Sequence, residues 1–110
     1  MIIDKGGNIL FITVNKVIAG TCALVQTDPG VFELSKMAVD PSYQGYGLGY
    51  KLGKAIIDKA KSLGAKAIFL ESNTVLTPAI NLYRKLGFVE MPHFESPYER
   101  SNIQMQIEFD

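Results

Sequence analysis

Three glycines stand at alternate positions, Gly45, Gly47 and Gly49, within the run Gln44-Gly45-Tyr46-Gly47-Leu48-Gly49. Glycine lets a backbone take positive φ and come close to a ligand. An amphipathic stretch follows at once, so the run falls where a helix begins. The unpaired N–H groups and the positive dipole end of such a helix suit a phosphate group. The chemistry on offer is therefore anion binding by backbone amides. A tight strand-to-helix connection that binds nothing accounts for the same letters. Two other phosphate motifs fit poorly. A P-loop needs Gly-Lys-Ser/Thr at the helix start, and Gly49 is followed by Tyr50-Lys51. A dinucleotide fingerprint needs a third small residue where this chain has Leu52. Glu71 does imitate the acidic residue that holds a ribose in that fold. A doubly wound fold, however, does not fit in 110 residues with three antiparallel strands in front.

The elements that must position the glycine run are legible from period and punctuation. Asn8 to Val14 and Val17 to Gln26 are rich in Ile, Val, Thr and Phe, with only Asn15-Lys16 between them, a hairpin signal. Asp28-Pro29-Gly30 is a second turn, because Pro presets φ and Gly accepts the positive φ after it, so a third strand returns over Val31 to Val39. The period then changes. Leu48, Leu52, Ala55, Ile56, Ala60 and Leu63 follow one helical face, Lys51, Lys54, Asp58 and Lys61 the other, and Gly64 stands at the C-terminal cap. Ala67 to Leu70 reads as a short strand buried on both faces. Thr77-Pro78 predicts a helix with a hydroxyl cap and proline at its first position, running to Gly87. Phe88 to Met91 is a further strand. Ile103, Met105, Ile107 and Phe109 alternate with polar residues as a half-buried strand. The order β-β-β-α-β-α-β-β predicts one α/β domain over residues 1–110, helices packed on a mixed sheet.

Bulk properties narrow the function classes. Eleven basic and eleven acidic residues cancel, which argues against a nucleic-acid partner. Cys22 is the one cysteine, so no disulfide and no Cys-based metal site can form within the chain. The N-terminal apolar run is too short for a signal peptide, and no stretch reaches the length of a membrane span. A cytoplasmic protein without a membrane partner is expected.

The residues are also similar to a known family. Gln44–Gly49 matches the Gln/Arg-x-x-Gly-x-Gly/Ala signature of GNAT acetyltransferases, and Met37-Ala38-Val39-Asp40-Pro41 resembles the strand and corner leading into it. Leu82-Tyr83-Arg84-Lys85-Leu86-Gly87-Phe88 resembles that family's Tyr-x-x-x-Gly-Phe motif. The two motifs stand in the right order, one helix and one strand apart, and the likeness covers residues 8 to 110. It implies a GNAT-like acyl-CoA N-acyltransferase fold. Acetyl-CoA is then the cosubstrate, with no metal, and acetyl passes to a primary amine by direct attack in a ternary complex. The resemblance places the cosubstrate where Val31–Val39 and Ala67–Leu70 splay apart. Backbone groups of Met37 and Val39 would pair with the pantetheine arm, and an N–H near Ala38 or Val39 would stabilise the oxyanion. The loop Gln44, Gly45, Tyr46, Gly47, Leu48 and Gly49, with the N–H of Tyr50, would hold the pyrophosphate, Gln44 bracing it. Glu33 aligns with a general base and Tyr83 with the general acid to the CoA sulfur. Asn73 is a candidate partner of the pantetheine arm, although many relatives carry that Asn where this chain has Leu76.

Duller readings apply to each residue. Glu33 can be a solvated strand residue, and Tyr83 shares the apolar side of its helix with Ala79, Leu82 and Leu86. His93, Tyr98 and Arg100 are candidates for lining the acceptor site. Cys22 reads as a small buried hydrophobe. The chain also enters its first hairpin almost at once, without the strand and helices that open most relatives. Asn8–Val14 is therefore expected to be an exposed sheet edge, which a homodimer or another partner would cover. Two further function classes remain beside the enzyme: a CoA-binding module without turnover, and an interaction domain whose glycine loop is only a turn.

Overall fold

The computed structural model describes residues 1–4, 6, 8–92 and 102–109. Among these residues, seven strands form one sheet in the order β1-β2-β3-β4-β5-β7-β6: β1 (Ile2–Asp4), β2 (Ile9–Val14), β3 (Val17–Asp28), β4 (Val31–Val39), β5 (Ala67–Ser72), β6 (Val89–Glu90) and β7 (Ile103–Glu108). Helix α1 (Leu48–Ser62) crosses from β4 to β5, and α2 (Thr77–Leu86) follows β5. All pairings are antiparallel except β4 with β5.

Local chemistry explains the turns. Asn15 and Lys16 both take positive φ, 50° and 68°, the conformation of a two-residue hairpin turn whose twist matches its strands. Gly30 supplies φ 76° after Pro29. Helix α1 buries Leu48, Leu52, Ile56, Ile57 and Ala60 against one face of the sheet, where they meet Cys22, Leu24, Phe32, Leu34, Ile68 and Leu70. Each Leu, Ile and Phe among them contributes about 1.5–3 kcal/mol by leaving water. The exposed Arg84–Glu90 ion pair, at 4.0 Å, contributes about 0–1 kcal/mol, so burial decides the architecture. Gly53 costs α1 helix propensity, about 1 kcal/mol against Ala. Its absent side chain is what admits α2: a Cβ there would lie 2.4 Å from Leu86 Cδ1.

Four expectations need correction. Asn8–Val14 is not a free edge, because Ile2, Ile3 and Asp4 pair with Ile12, Phe11 and Leu10. A strand does therefore precede the first hairpin, clamped by the Met1 carbonyl, which accepts from Thr13 N–H at 2.7 Å, and by Asp4, which accepts from Lys59 Nζ of α1. The capping residue of α2 is Leu76, with no side-chain cap, not the Thr77 hydroxyl: the helix begins one residue earlier than the hydroxyl rule implies. β5 is buried on one face only. Ile68 and Leu70 are buried, whereas Ala67 and Phe69 are half-buried on a face that carries no helix among the described residues. The strand after α2 is shorter than Phe88–Met91: it runs from Val89 to Glu90, while Phe88 is core.

Candidate functional site

β4 pairs with β5 only through Val31, Phe32 and Glu33, opposite Ala67, Ile68 and Phe69. Beyond that rung β4 continues along β3 to Val39, and β5 along β7 to Ser72. The two strands therefore part after Glu33, leaving a gap in the middle of the sheet. Asp40 N–H donates to the Ala19 carbonyl of β3 at 2.7 Å. Along an antiparallel strand every second residue turns its amide the same way. Ala38 thus bonds toward β3, and Met37 and Val39 turn their backbone groups into the gap.

A bulge decides which side chains line it. Leu24 pairs with Leu34 but Ala23 pairs with Lys36, so Ser35 is the extra residue and the alternation reverses. Met37 and Val39 consequently share the helix-side face with Phe32 and Leu34, whereas Glu33, Lys36 and Ala38 lie on the opposite, open face.

The chain turns after β4 through Pro41–Tyr43. The Asp40 carboxylate accepts from Ser42 N–H at 2.8 Å, and its carbonyl accepts from Tyr43 N–H at 2.8 Å. Gly45 (φ 91°) and Gly47 (φ 72°) then take left-handed conformations that a side chain would strain, and no atom stands within 4 Å of where their Cβ would be. Gly49 is different. It is helical, and a Cβ there would stand 3.1 Å from Leu82 of α2. The first bond within α1 runs from Lys51 N–H to the Gly47 carbonyl, so the amides of Leu48, Gly49 and Tyr50 have no partner inside the helix. Gly47 caps this end with no side-chain hydrogen bond.

These pieces enclose a cleft of about 860 Å³ between β4, the start of α1 and α2. Of the residues singled out in the sequence, Met37, Val39, Gln44, Gly45, Gly47, Leu48, Gly49, Tyr50 and Tyr83 line it. Tyr46 does not, and is 71% exposed. Ala38 does not either, for the reason given by the bulge. Asn73 lies beyond β5, where its side-chain oxygen accepts from Val75 N–H at 3.0 Å in a local turn, and it is not in the lining. The Gln44 side chain makes no bracing bond among the described residues, and Asp40 braces the corner instead. His93, Tyr98 and Arg100 lie outside the described residues. Sequence reasoning missed Tyr43 and the α2 face of Pro78, Asn81 and Lys85. The i, i+3 and i+4 spacing of Pro78, Leu82 and Lys85 was the available signal.

Tyr83 stacks edge-on against Phe88, ring centres 6.2 Å apart, and burial raises its phenol above the ordinary value, so it holds its proton at neutral pH. Glu33 stands on the open face at the last rung before the strands part. Burial first, then the charge of Glu71, raises its carboxyl above the usual range. Cys22 is buried under α1 and outside the cleft, its thiol pushed up to about 12 by burial. A thiol reagent at about pH 8, near the ordinary thiol range, should therefore leave the native protein unlabelled and modify Cys22 only on denaturation. Stoichiometric labelling of the folded chain would contradict this placement.

No group of three metal-ligating side chains occurs among the described residues, and none of their helices is long and apolar enough to cross a membrane.

Comparison with known proteins gives a consistent picture. The profile described as Acetyltransferase (GNAT) family matches residues 2–88. The chain is 37% identical over 70 residues to the N-alpha-acetyltransferase RimI of Mycobacterium tuberculosis, covering 64% of this chain and 42% of that protein. The crystal structure of the ribosomal-protein-S18-alanine N-acetyltransferase from Escherichia coli superposes with a TM-score of 0.76 at 30% identity, over 91% of this chain and 67% of that one. A Bacillus subtilis acetyltransferase in complex with CoA superposes with a TM-score of 0.80 at 24% identity, over 92% and 76%, a likeness of fold. The chain spans between about a fifth and about half the length of the curated relatives it matches.

Proposed function

The chain belongs to the acetyltransferase (GNAT) family, and from that premise we propose that it transfers acetyl from acetyl-CoA to a primary amine by direct attack in a ternary complex. The observation that carries the reading is the parting of β4 and β5 beside a helix start whose amides lack internal partners. A diphosphate fits that cradle. The left-handed glycines leave open space, and the free amides and dipole end of α1 favour negative charge.

Bound acetyl-CoA supplies an activated thioester carbonyl. Leu48, Gly49 and Tyr50 N–H groups, with the backbone of Gly45 and Gly47, hold the pyrophosphate. Met37 and Val39 offer backbone donors and acceptors to an extended arm lying along β4. Val39 N–H, turned into the gap, is the donor for the oxyanion. The Glu33 carboxylate accepts the proton of the acceptor's ammonium, directly or through one water, from the open face. The Tyr83 hydroxyl donates its proton to the departing sulfur as the N–C bond forms and the C–S bond breaks; the acylated nitrogen releases its second proton to solvent, from which the Tyr83 phenolate is restored.

The acceptor class is the open part of this assignment. Relatives named for N-terminal acetylation place peptide α-amines first in a thiol-release panel that also holds polyamines, aminoglycosides and amino acids. Release of free CoA with one of these amines, lowered about 10²–10⁴-fold in Glu33→Gln, is the expected result. Acetyl-CoA binding without thiol release from any amine would instead support the alternative, a CoA-binding module without turnover. Absence of binding at about millimolar ligand would overturn both.

A cytoplasmic setting fits the single buried thiol and the neutral charge balance. The earlier ground for a homodimer, a free β2 edge, is gone, since β1 pairs there. The surface that supports a second copy or another partner is instead the open sheet face, where Ile9 and Val25 are exposed and Phe11 is half-buried. Light scattering at micromolar concentration checks this.

A further inference from the structure

Past Phe69, β5 has lost β4 as a neighbour and is held by β7 alone, up to the pairing of Ser72 with Ile103. One residue before β7 begins, Asn102 carries that ladder further. Its backbone N–H donates to the Ser72 carbonyl at 2.9 Å. Its side-chain oxygen accepts from Thr74 N–H at 2.9 Å, and its side-chain amide donates to the Thr74 hydroxyl at 3.1 Å. A carboxamide offers the same acceptor and donor as a peptide group, so Asn102 prolongs the β5–β7 ladder past the last strand pair. We infer that Asn102 is a positioning residue for the cosubstrate: by clasping Thr74 it fixes the turn that sets Leu76 and the start of α2 against the cleft. This rests on the reading of that cleft as the acetyl-CoA site.

The turn transmits the clasp over two residues. Val75 N–H donates to the Asn73 side-chain oxygen at 3.0 Å, and Leu76 N–H donates to the Asn73 carbonyl at 2.9 Å. The Leu76 carbonyl then accepts from Ile80 N–H at 3.0 Å, which opens the bond pattern of α2. A side chain at the cap commonly fixes a helix start, and Leu76 supplies none. Ile80 and Leu86 anchor the body of α2 in the core, so the direction of its first turn falls to the residues just before it. Leu76 is 52% exposed and has little packing of its own to hold it. Leu76, Pro78 and Ala79 line the cleft directly after this turn, whereas Asn102 does not. Asn102 therefore acts on the shape of the wall, not by touching the cosubstrate.

Calorimetry of acetyl-CoA binding to the full chain tests this without an acceptor amine. Asn102→Ala, which removes both side-chain bonds, should weaken binding about three- to tenfold, the scale of one or two net hydrogen bonds. Thr74→Val removes the hydroxyl partner alone and should lose less, while Thr74→Ser keeps both bonds and should bind like the wild type. In the Asn102→Ala background Thr74→Val should cost nothing more, because the pair is already broken. With an amine that turns over, KM for acetyl-CoA should rise while kcat stays within about twofold, since Tyr83 and Glu33 are untouched. Thermal unfolding, measured beside it, separates a merely structural role: an Asn102→Ala chain that melts lower yet binds with wild-type affinity overturns the inference. Where Asn102→Ala does not fold, unchanged affinity in Thr74→Val overturns it instead. A wild-type chain that binds no acetyl-CoA removes the cleft assignment itself, and the role of Asn102 with it. Wild-type binding with no loss in either variant removes the role of Asn102 alone.

Discussion

Gly47→Glu is expected to abolish acetyl-CoA binding, read by calorimetry, while the chain stays folded. Two effects add at this position. Gly47 holds φ 72°, where an L side chain costs about 1–2 kcal/mol of local strain. The larger effect is charge. A carboxylate about 4 Å from one phosphate charge, at an effective dielectric of about 20, costs about 4 kcal/mol, which is about a thousandfold in affinity. Gly47→Gln separates the contributions, since it carries the same bulk and strain without charge. The Glu variant should therefore bind far more weakly than Gln, and the difference should shrink as salt is raised. Because nothing stands within 4 Å of the missing Cβ, neither variant should disturb the core. Equal affinity of Gly47→Glu and wild type would place the phosphates elsewhere and remove the ground for the cleft's assignment.

Tyr83→Phe should keep acetyl-CoA affinity nearly unchanged and lower kcat by about 10²–10⁴-fold with any amine that turns over, the range for loss of one proton-transfer group. The ring survives the change, so its edge-on contact with Phe88 and its share of the core survive too. What is lost is the hydroxyl. Its raised value has a definite sign: burial disfavours the phenolate, so the proton is present throughout neutral pH and up past the ordinary tyrosine range, about pH 10. The deficit of the Phe variant should therefore be constant across neutral pH, and should close only at alkaline pH, where wild-type Tyr83 loses its proton. A kcat equal to wild type would return Tyr83 to a packing role.

Much of this site could be read from letters because its chemistry is backbone chemistry. Asn15-Lys16, Pro29-Gly30 and Gly45-x-Gly47 impose their φ values locally, and the structure shows each as positive φ where a turn or loop requires it. The apolar period of α1 and its end near Gly64 follow from one residue's neighbours along the same helix. Other features were not legible. Ile2–Asp4 is too short to show a period and is a strand only because β2 lies beside it. The bulge at Ser35 leaves no mark in composition, yet it decides that Met37 and Val39 face the cleft while Ala38 and Glu33 face the opposite side.

The sequence by itself therefore determined the elements, their order, the glycine loop and the family's two motifs, since these depend on residues within a turn or two of one another. Only the tertiary structure decided that Gly49 and Gly53 are small because Leu82 and Leu86 of another helix press on them. It alone also decided that Asn102 closes on Thr74. The reason is physical: local conformation is set by steric and hydrogen-bond terms along the chain, whereas contacts between distant segments depend on how their surfaces meet.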